Sequence, residues 1–75
     1  MNSLFMYRFT SLDKTGKEHT VTFTPIYDNW WTVQISDLGV DVTQFFEDED
    51  FNDVSYDYSI KYGLGDITKR EREAI

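Results

Sequence analysis

The sequence predicts an α+β fold: a small antiparallel sheet with one or two short helices, in a single domain over residues 1–75. Short segments with apolar residues at every second position recur along the chain, which is typical of strands that bury one face. Turn-forming residues separate these segments by a few positions, so neighbouring strands are expected to pair antiparallel. Seventy-five residues are too few to build a second hydrophobic core.

The first three strands form a predicted meander over residues 4–36. Residues 4–10, 18–24 and 30–36 each alternate between apolar and polar side chains, with turn residues between them. The positions that share the predicted buried face are Phe5, Tyr7, Phe9, His19, Val21, Phe23, Trp31, Val33 and Ile35. His19 lies close to the start of its strand, and we expect it to be partly exposed.

Three further elements are predicted in the second half of the chain. Asp41 is a candidate N-cap for a short helix over residues 42–50, with an irregular acidic loop as the alternative. Residues 54–62 alternate cleanly, which predicts a fourth strand. Thr68 and Glu71 have capping-box spacing, so a short C-terminal helix is expected to start at Thr68.

Composition excludes several classes of site. The chain has no cysteine, so it has no disulfide, no thiolate nucleophile and no cysteine-based zinc site. An EF-hand counted from Asp48 fails, because Asp53 replaces the required glycine and Ser59 the required glutamate. Neither a catalytic motif nor a nucleotide-binding motif is present, so we expect no enzymatic activity, cofactor or metal.

The N-terminal segment gives an expectation about location. It lacks the basic start of a secretory signal peptide, and no uncharged stretch approaches the roughly 20 apolar residues of a membrane span. We therefore expect a cytoplasmic protein.

The charge is unevenly distributed. The formal net charge is −7, yet residues 18–60 contain no lysine or arginine. The acidic residues are densest at Glu47, Asp48, Glu49 and Asp50, with Asp53 and Asp57 just beyond. Either this charge serves only solubility, or it forms a negative surface that is used, since like charges destabilise the compact state.

Trp30 is a candidate binding anchor. If Trp31 points into the core, Trp30 points to the opposite face of the sheet, close in sequence to Tyr27. Exposed tryptophan and tyrosine residues are typical of binding hot spots. The alternative is that a helix or loop covers Trp30.

Two functions are therefore predicted. The first is a small inhibitor or modulator of the phage or mobile-element type. Its acidic residues Glu47, Asp48, Glu49, Asp50, Asp53 and Asp57 would imitate nucleic-acid phosphate and block a basic groove, with Trp30 or Tyr27 as anchor. Its partner is a protein with a basic surface, and direct nucleic-acid binding is disfavoured because phosphate is repelled. The alternative is an adaptor subunit that binds a protein, or a second copy of itself, through an apolar sheet face.

Overall fold

The computed structural model describes residues 5–47 and 50–75, which form a five-stranded sheet with one α-helix packed on one face. The elements are β1 (Phe5–Leu12), β2 (Glu18–Tyr27), β3 (Trp30–Ile35), a 3-10 turn (Ser36–Leu38), β4 (Val40–Phe45), α1 (Phe51–Tyr62) and β5 (Asp66–Ala74). The strand order is β4-β3-β2-β1-β5, and every pair is antiparallel. The α+β class is confirmed, with five strands rather than the predicted four. The described part of the chain has no helix with the length and apolarity of a membrane span.

The predicted meander is confirmed as β1, β2 and β3. Its register aligns the apolar positions, with Phe9 opposite Val21 and Phe23 opposite Val33. Asp13 stabilises the first turn, since its Oδ1 accepts the backbone N–H groups of Thr15 and Lys17 at 2.9 and 3.0 Å. Local turn chemistry and period-2 alternation thus predict this half of the sheet correctly.

The predicted strand over residues 54–62 is wrong, because this segment lies within helix α1. Every second residue from Val54 to Tyr62 is apolar, but Val54, Tyr58 and Tyr62 are also four apart, the helical spacing. Val54 and Tyr58 are buried, whereas Tyr56 and Ile60 are exposed. Small side chains complete the inner face, since Ser55 and Ser59 are buried beside them. The apolar residues of the alternating pattern that are four apart therefore form the buried face of a helix.

The predicted helix over residues 42–50 is also wrong. Residues 40–45 form β4, which pairs along its whole length with β3. Val42 and Thr43 are β-branched and favour a pleated strand over a helix. Gly39 takes a left-handed conformation at the end of the 3-10 turn, with φ 67° and ψ 23°, and returns the chain alongside β3. Asp41 is therefore a strand residue and not a helix cap.

The predicted C-terminal helix is replaced by strand β5. It pairs with β1, so its partner lies near the other end of the chain. Thr68 Oγ1 donates to the backbone oxygen of Thr10 at 3.3 Å instead of capping a helix. The alternating charges lie on opposite faces of the sheet. Arg70 and Arg72 pair with core-facing residues of β1, whereas Glu71 and Glu73 lie on the other face. A long-range pairing overrides the local capping signal.

The core lies between α1 and the sheet face opposite it. Its buried apolar members are Phe9, Val21, Phe23, Trp31, Val33, Ile35, Val54, Tyr58 and Leu64. Phe51 at the start of α1 contacts Trp31 with a ring-centroid distance of 4.8 Å and stacks on Tyr7 at 4.1 Å. The other face of the sheet, which we call the outer face, has no described helix against it.

Candidate functional site

The carboxylates predicted to form a site lie mainly around α1. Asp50 is the N-cap of the helix, and its Oδ1 accepts the backbone N–H of Asn52 at 2.8 Å. Asp53 and Asp57 follow one helical turn apart and are exposed. Glu47 is exposed between β4 and α1, while Asp48 and Glu49 lie outside the described residues. We call Asp50, Asp53 and Asp57 the acidic helix face.

Three of the basic residues, Arg8, Lys17 and Lys69, pair with carboxylates away from α1. Arg8 lies 3.9 Å from both Glu71 and Glu73 on the outer face. Lys17 lies 3.6 Å from Asp37 near the first turn. Among residues 5–47 and 50–75, no ion pair involves Asp53 or Asp57. Asp53 and Asp57 are therefore the carboxylates of α1 that lack an ion-pair partner among the described residues.

Lys61 is the one basic residue within α1. Its Nζ lies 5.4 Å from the ring centroid of Tyr62 and 6.0 Å from that of Tyr58. A cation at this distance from aromatic rings is held by their negative faces. Lys61 also lies near the C-terminal end of the helix, one turn after Asp57, and within the described residues the two side chains form no ion pair.

Three aromatic side chains form a row on the outer face. The strand register places Tyr27 opposite Trp30 and Trp30 opposite Phe45. The Trp30 and Phe45 rings meet edge to face with centroids 5.3 Å apart. The three residues are 60%, 37% and 44% exposed in that order. We call Tyr27, Trp30 and Phe45 the aromatic row.

The opposite orientation of Trp30 and Trp31 is confirmed, since Trp31 is only 5% exposed. Helix α1 lies on the Trp31 side, so the helix does not cover Trp30. Phe45 was not predicted as part of a site, because its segment was interpreted as a helix. The signal that could have identified it is the alternation of Val40 and Val42 with Asp41 and Thr43, which is typical of a strand and places Phe45 on the same face as Asp41 and Thr43.

The acidic helix face and the aromatic row lie on opposite sides of the sheet. Where the chain leaves β4, the backbone N–H of Phe46 donates to the backbone oxygen of Asn29 at 2.9 Å. Glu47 follows at this position, next to the turn between β2 and β3. The predicted residues therefore form two surfaces on opposite sides of the sheet, and not a single patch.

His19 is buried, which corrects the expectation of partial exposure: it is 5% exposed. Its Nε2 lies 2.8 Å from Asp13 Oδ2 and its Nδ1 lies 2.6 Å from Asp37 Oδ2. Both ring nitrogens are therefore occupied, and neither is free to accept a proton from a substrate. The histidine links the first turn to the segment between β3 and β4, which is a structural role.

The two carboxylates change the protonation of this cluster. The hydrogen bond to Asp13 raises the pKa of His19 despite the opposing effect of burial, and Asp37 adds to the rise. The pKa of Asp13 is lowered by hydrogen bonds from the Thr15 hydroxyl and from His19. Burial acts to raise the pKa of Asp37, but the hydrogen bond from His19 and its charge outweigh burial and lower it.

The cluster predicts a fall in stability at alkaline pH. The raised pKa means that folding favours the protonated imidazole, so this contribution is complete below about pH 6.5, the ordinary histidine pKa. It is lost as the pH rises through the raised pKa of His19. We expect the urea midpoint of unfolding to decrease as the pH rises above about 6.5. In His19→Asn the decrease should disappear, and an equal decrease in that variant would contradict the assignment.

A groove of about 510 Å³ runs between α1 and β5. Arg70 and Arg72 line it together with the carboxylate of Asp50, above the rings of Tyr7, Phe23 and Phe51. Its charges are mixed, so the groove does not select one sign of ligand. Within the described residues there is no group of three metal-ligating side chains.

The chain matches no protein-family model, no curated protein and no solved structure.

Proposed function

We propose that this protein binds and modulates a nucleic-acid-handling protein by placing its acidic helix face in that protein's basic groove. The observation that supports this function is the unpaired state of Asp53 and Asp57 among the described residues. The preceding sequence from residue 18 onward offers no lysine or arginine to neutralise them, and Lys61, one turn after Asp57, forms no ion pair with it within the described residues. Such charges cost stability through self-repulsion, so their retention favours a role in binding.

The arrangement of the carboxylates suits imitation of phosphate. Asp53 and Asp57 are one helical turn apart, roughly 6 Å along the axis of a rigid element. Asp50 is fixed by its cap hydrogen bond at the start of the same helix. A basic groove attracts the phosphates of a nucleic-acid backbone through its positive electrostatic potential. The same potential would attract these carboxylates. We further propose that the protein acts in the cytoplasm as an inhibitor of the phage or mobile-element type.

The proposal is tested by capturing partners from a lysate of the source cell with immobilised protein. Asp53→Asn/Asp57→Asn removes two charges from the acidic helix face. Glu18→Gln/Asp66→Asn is the matched control, because it removes the same charge from exposed positions elsewhere. Circular dichroism checks that both variants are folded.

We expect the wild-type protein and the control to retain the same basic protein at low salt. The Asp53/Asp57 variant should lose at least about tenfold in affinity for it, since each charged contact in a protein interface is worth roughly a kilocalorie per mole or more. Duplex DNA added as a competitor should release the partner. Capture that is equal in both variants, or that is unaffected by DNA, would reject the proposal.

A second candidate function is favoured by the aromatic row. Exposed aromatic residues in contact with one another are typical of a protein-binding hot spot. An adaptor that binds through this apolar part of the outer face would use its charge only for solubility. In the same experiment, Trp30→Ala would then abolish capture while Asp53→Asn/Asp57→Asn would not, and binding would tolerate salt.

A further inference from the structure

The outer edge of β4 is open, while the opposite edge of the sheet is protected. Within residues 5–47 and 50–75, no strand pairs with β4 beyond β3. The other edge strand, β5, has charged side chains at five consecutive positions from Lys69 to Glu73. Alternating charges of this kind discourage a further strand from pairing. Strand β4 has Asp41 as its only charged residue and contains no lysine or proline.

The register of β3 and β4 identifies the backbone groups that face outward. Phe46 N–H donates to Asn29 O at 2.9 Å, directly beyond the Trp30–Phe45 pair in the same register. Hydrogen-bonded pairs alternate with non-hydrogen-bonded pairs in an antiparallel ladder. The N–H and C=O groups of Val40, Val42 and Gln44 therefore point toward β3. Those of Asp41, Thr43 and Phe45 point away from the sheet and are available to another strand.

We propose that this edge binds an extended basic segment of the partner protein as a sixth, hydrogen-bonded strand. That the partner is basic is taken from the proposed function, so the inference rests on that function. Asp41 lies within the edge and Glu47 follows it, while no lysine or arginine occurs between residues 18 and 60. A second copy of this chain would bring the same negative charges to the contact, so a basic segment is the favoured occupant.

The side chains along β4 define which residues the added strand would carry. On the outer face, Phe45 and Trp30 form the exposed edge-to-face pair. On the helix side, Val42 is 40% exposed. Side chains of an added strand alternate between these two surfaces. The segment that fits therefore alternates lysine or arginine with apolar residues, so that apolar side chains lie on the helix side with Val42 and basic ones lie on the outer face with Asp41.

The test is an NMR titration of the ¹⁵N-labelled protein with a synthetic peptide of alternating lysine and valine. A peptide of alternating glutamate and valine is the control. With the lysine peptide, we expect the amide resonances of Asp41, Thr43 and Phe45 to shift more than those of Val40, Val42 and Gln44. The glutamate peptide should bind at least roughly tenfold more weakly. Equal binding of the two peptides, or shifts confined to α1, would overturn the inference.

Thr43→Pro removes an outward N–H without breaking the ladder to β3, as edge strands allow. We expect it to bind the lysine peptide at least about tenfold more weakly than Thr43→Val, which keeps that donor. Sedimentation of the wild-type protein as a dimer, with Thr43→Pro monomeric, would make a second copy the occupant and overturn the inference.

Cellular capture separates this inference from the proposed function. If Asp53→Asn/Asp57→Asn abolishes capture while Thr43→Pro has no effect, the edge inference fails and the proposed function stands. If capture is unchanged by Asp53→Asn/Asp57→Asn, the proposed function itself fails.

Discussion

Gly65→Ala is expected to destabilise the fold by about 3–5 kcal/mol, through strain and overpacking together. Gly65 has φ +85°, and a Cβ atom there would lie 2.2 Å from the backbone oxygen of Leu12 and 2.5 Å from the Cα of Asp13. Both atoms belong to the backbone, so no side-chain rotation relieves the contact. Gly65 immediately precedes β5, so relief would require displacing this strand from the end of β1.

Gly16→Ala is the matched control for this variant. Gly16 also has φ +85°, but a Cβ atom there has nothing within 4 Å. Gly16→Ala should therefore lower the free energy of unfolding only by the penalty for a positive φ angle, about 1–2 kcal/mol. Urea unfolding of both variants measures the difference. Equal losses would show that the close approach of Gly65 to β1 does not contribute.

Phe23→Ala should cost about 3–5 kcal/mol, which is typical of a buried phenylalanine. Phe23 is 1% exposed and lies in the central strand of the sheet. Its ring contacts four other aromatic rings, those of Phe9, Phe46, Phe51 and Tyr58, with centroids 5.4–6.1 Å apart. Truncation would leave a cavity where the sheet meets α1. A domain of this size has a free energy of unfolding of roughly 4–11 kcal/mol, so a large share of the total is lost.

Phe45→Ala provides the comparison for Phe23→Ala. The same ring is removed from the outer face, where Phe45 is 44% exposed. We expect a loss of about 1 kcal/mol, because nearly half of the residue is already in water and its removal leaves no buried cavity. Thermal or urea unfolding checks the difference. If the two variants lost the same stability, the outer face would have to be covered in solution.

The first half of the fold was predictable because its signals are local. Each strand from Phe5 to Ile35 has a period-2 pattern, and the turns between them carry suitable residues. The second half was not, because Val54, Tyr58 and Tyr62 satisfy the spacing of a helix as well as that of a strand. For β5, the local capping signal at Thr68 was outweighed by pairing with β1, a contact between distant parts of the sequence.

The candidate site was predictable only in part. Charge counting identified Asp53 and Asp57, and alternation identified Trp30 as a residue of the outer face. Phe45 was missed because it becomes the neighbour of Trp30 only when β4 forms. The environment of His19 was also missed, because Asp13 and Asp37 converge on it through tertiary contacts. Period-2 alternation indicates which face a residue occupies but does not specify the groups that it meets there.

The most direct test of the proposed function is the salt dependence of affinity for the captured partner. Binding of the wild-type protein and of Asp53→Asn/Asp57→Asn would be measured by calorimetry between about 50 mM and about 500 mM salt, a range over which charge screening changes strongly. Binding through the acidic helix face predicts a steep loss of wild-type affinity with salt and a clearly shallower loss in the variant. Identical salt dependence for the two proteins, or wild-type affinity that does not change with salt, would contradict it.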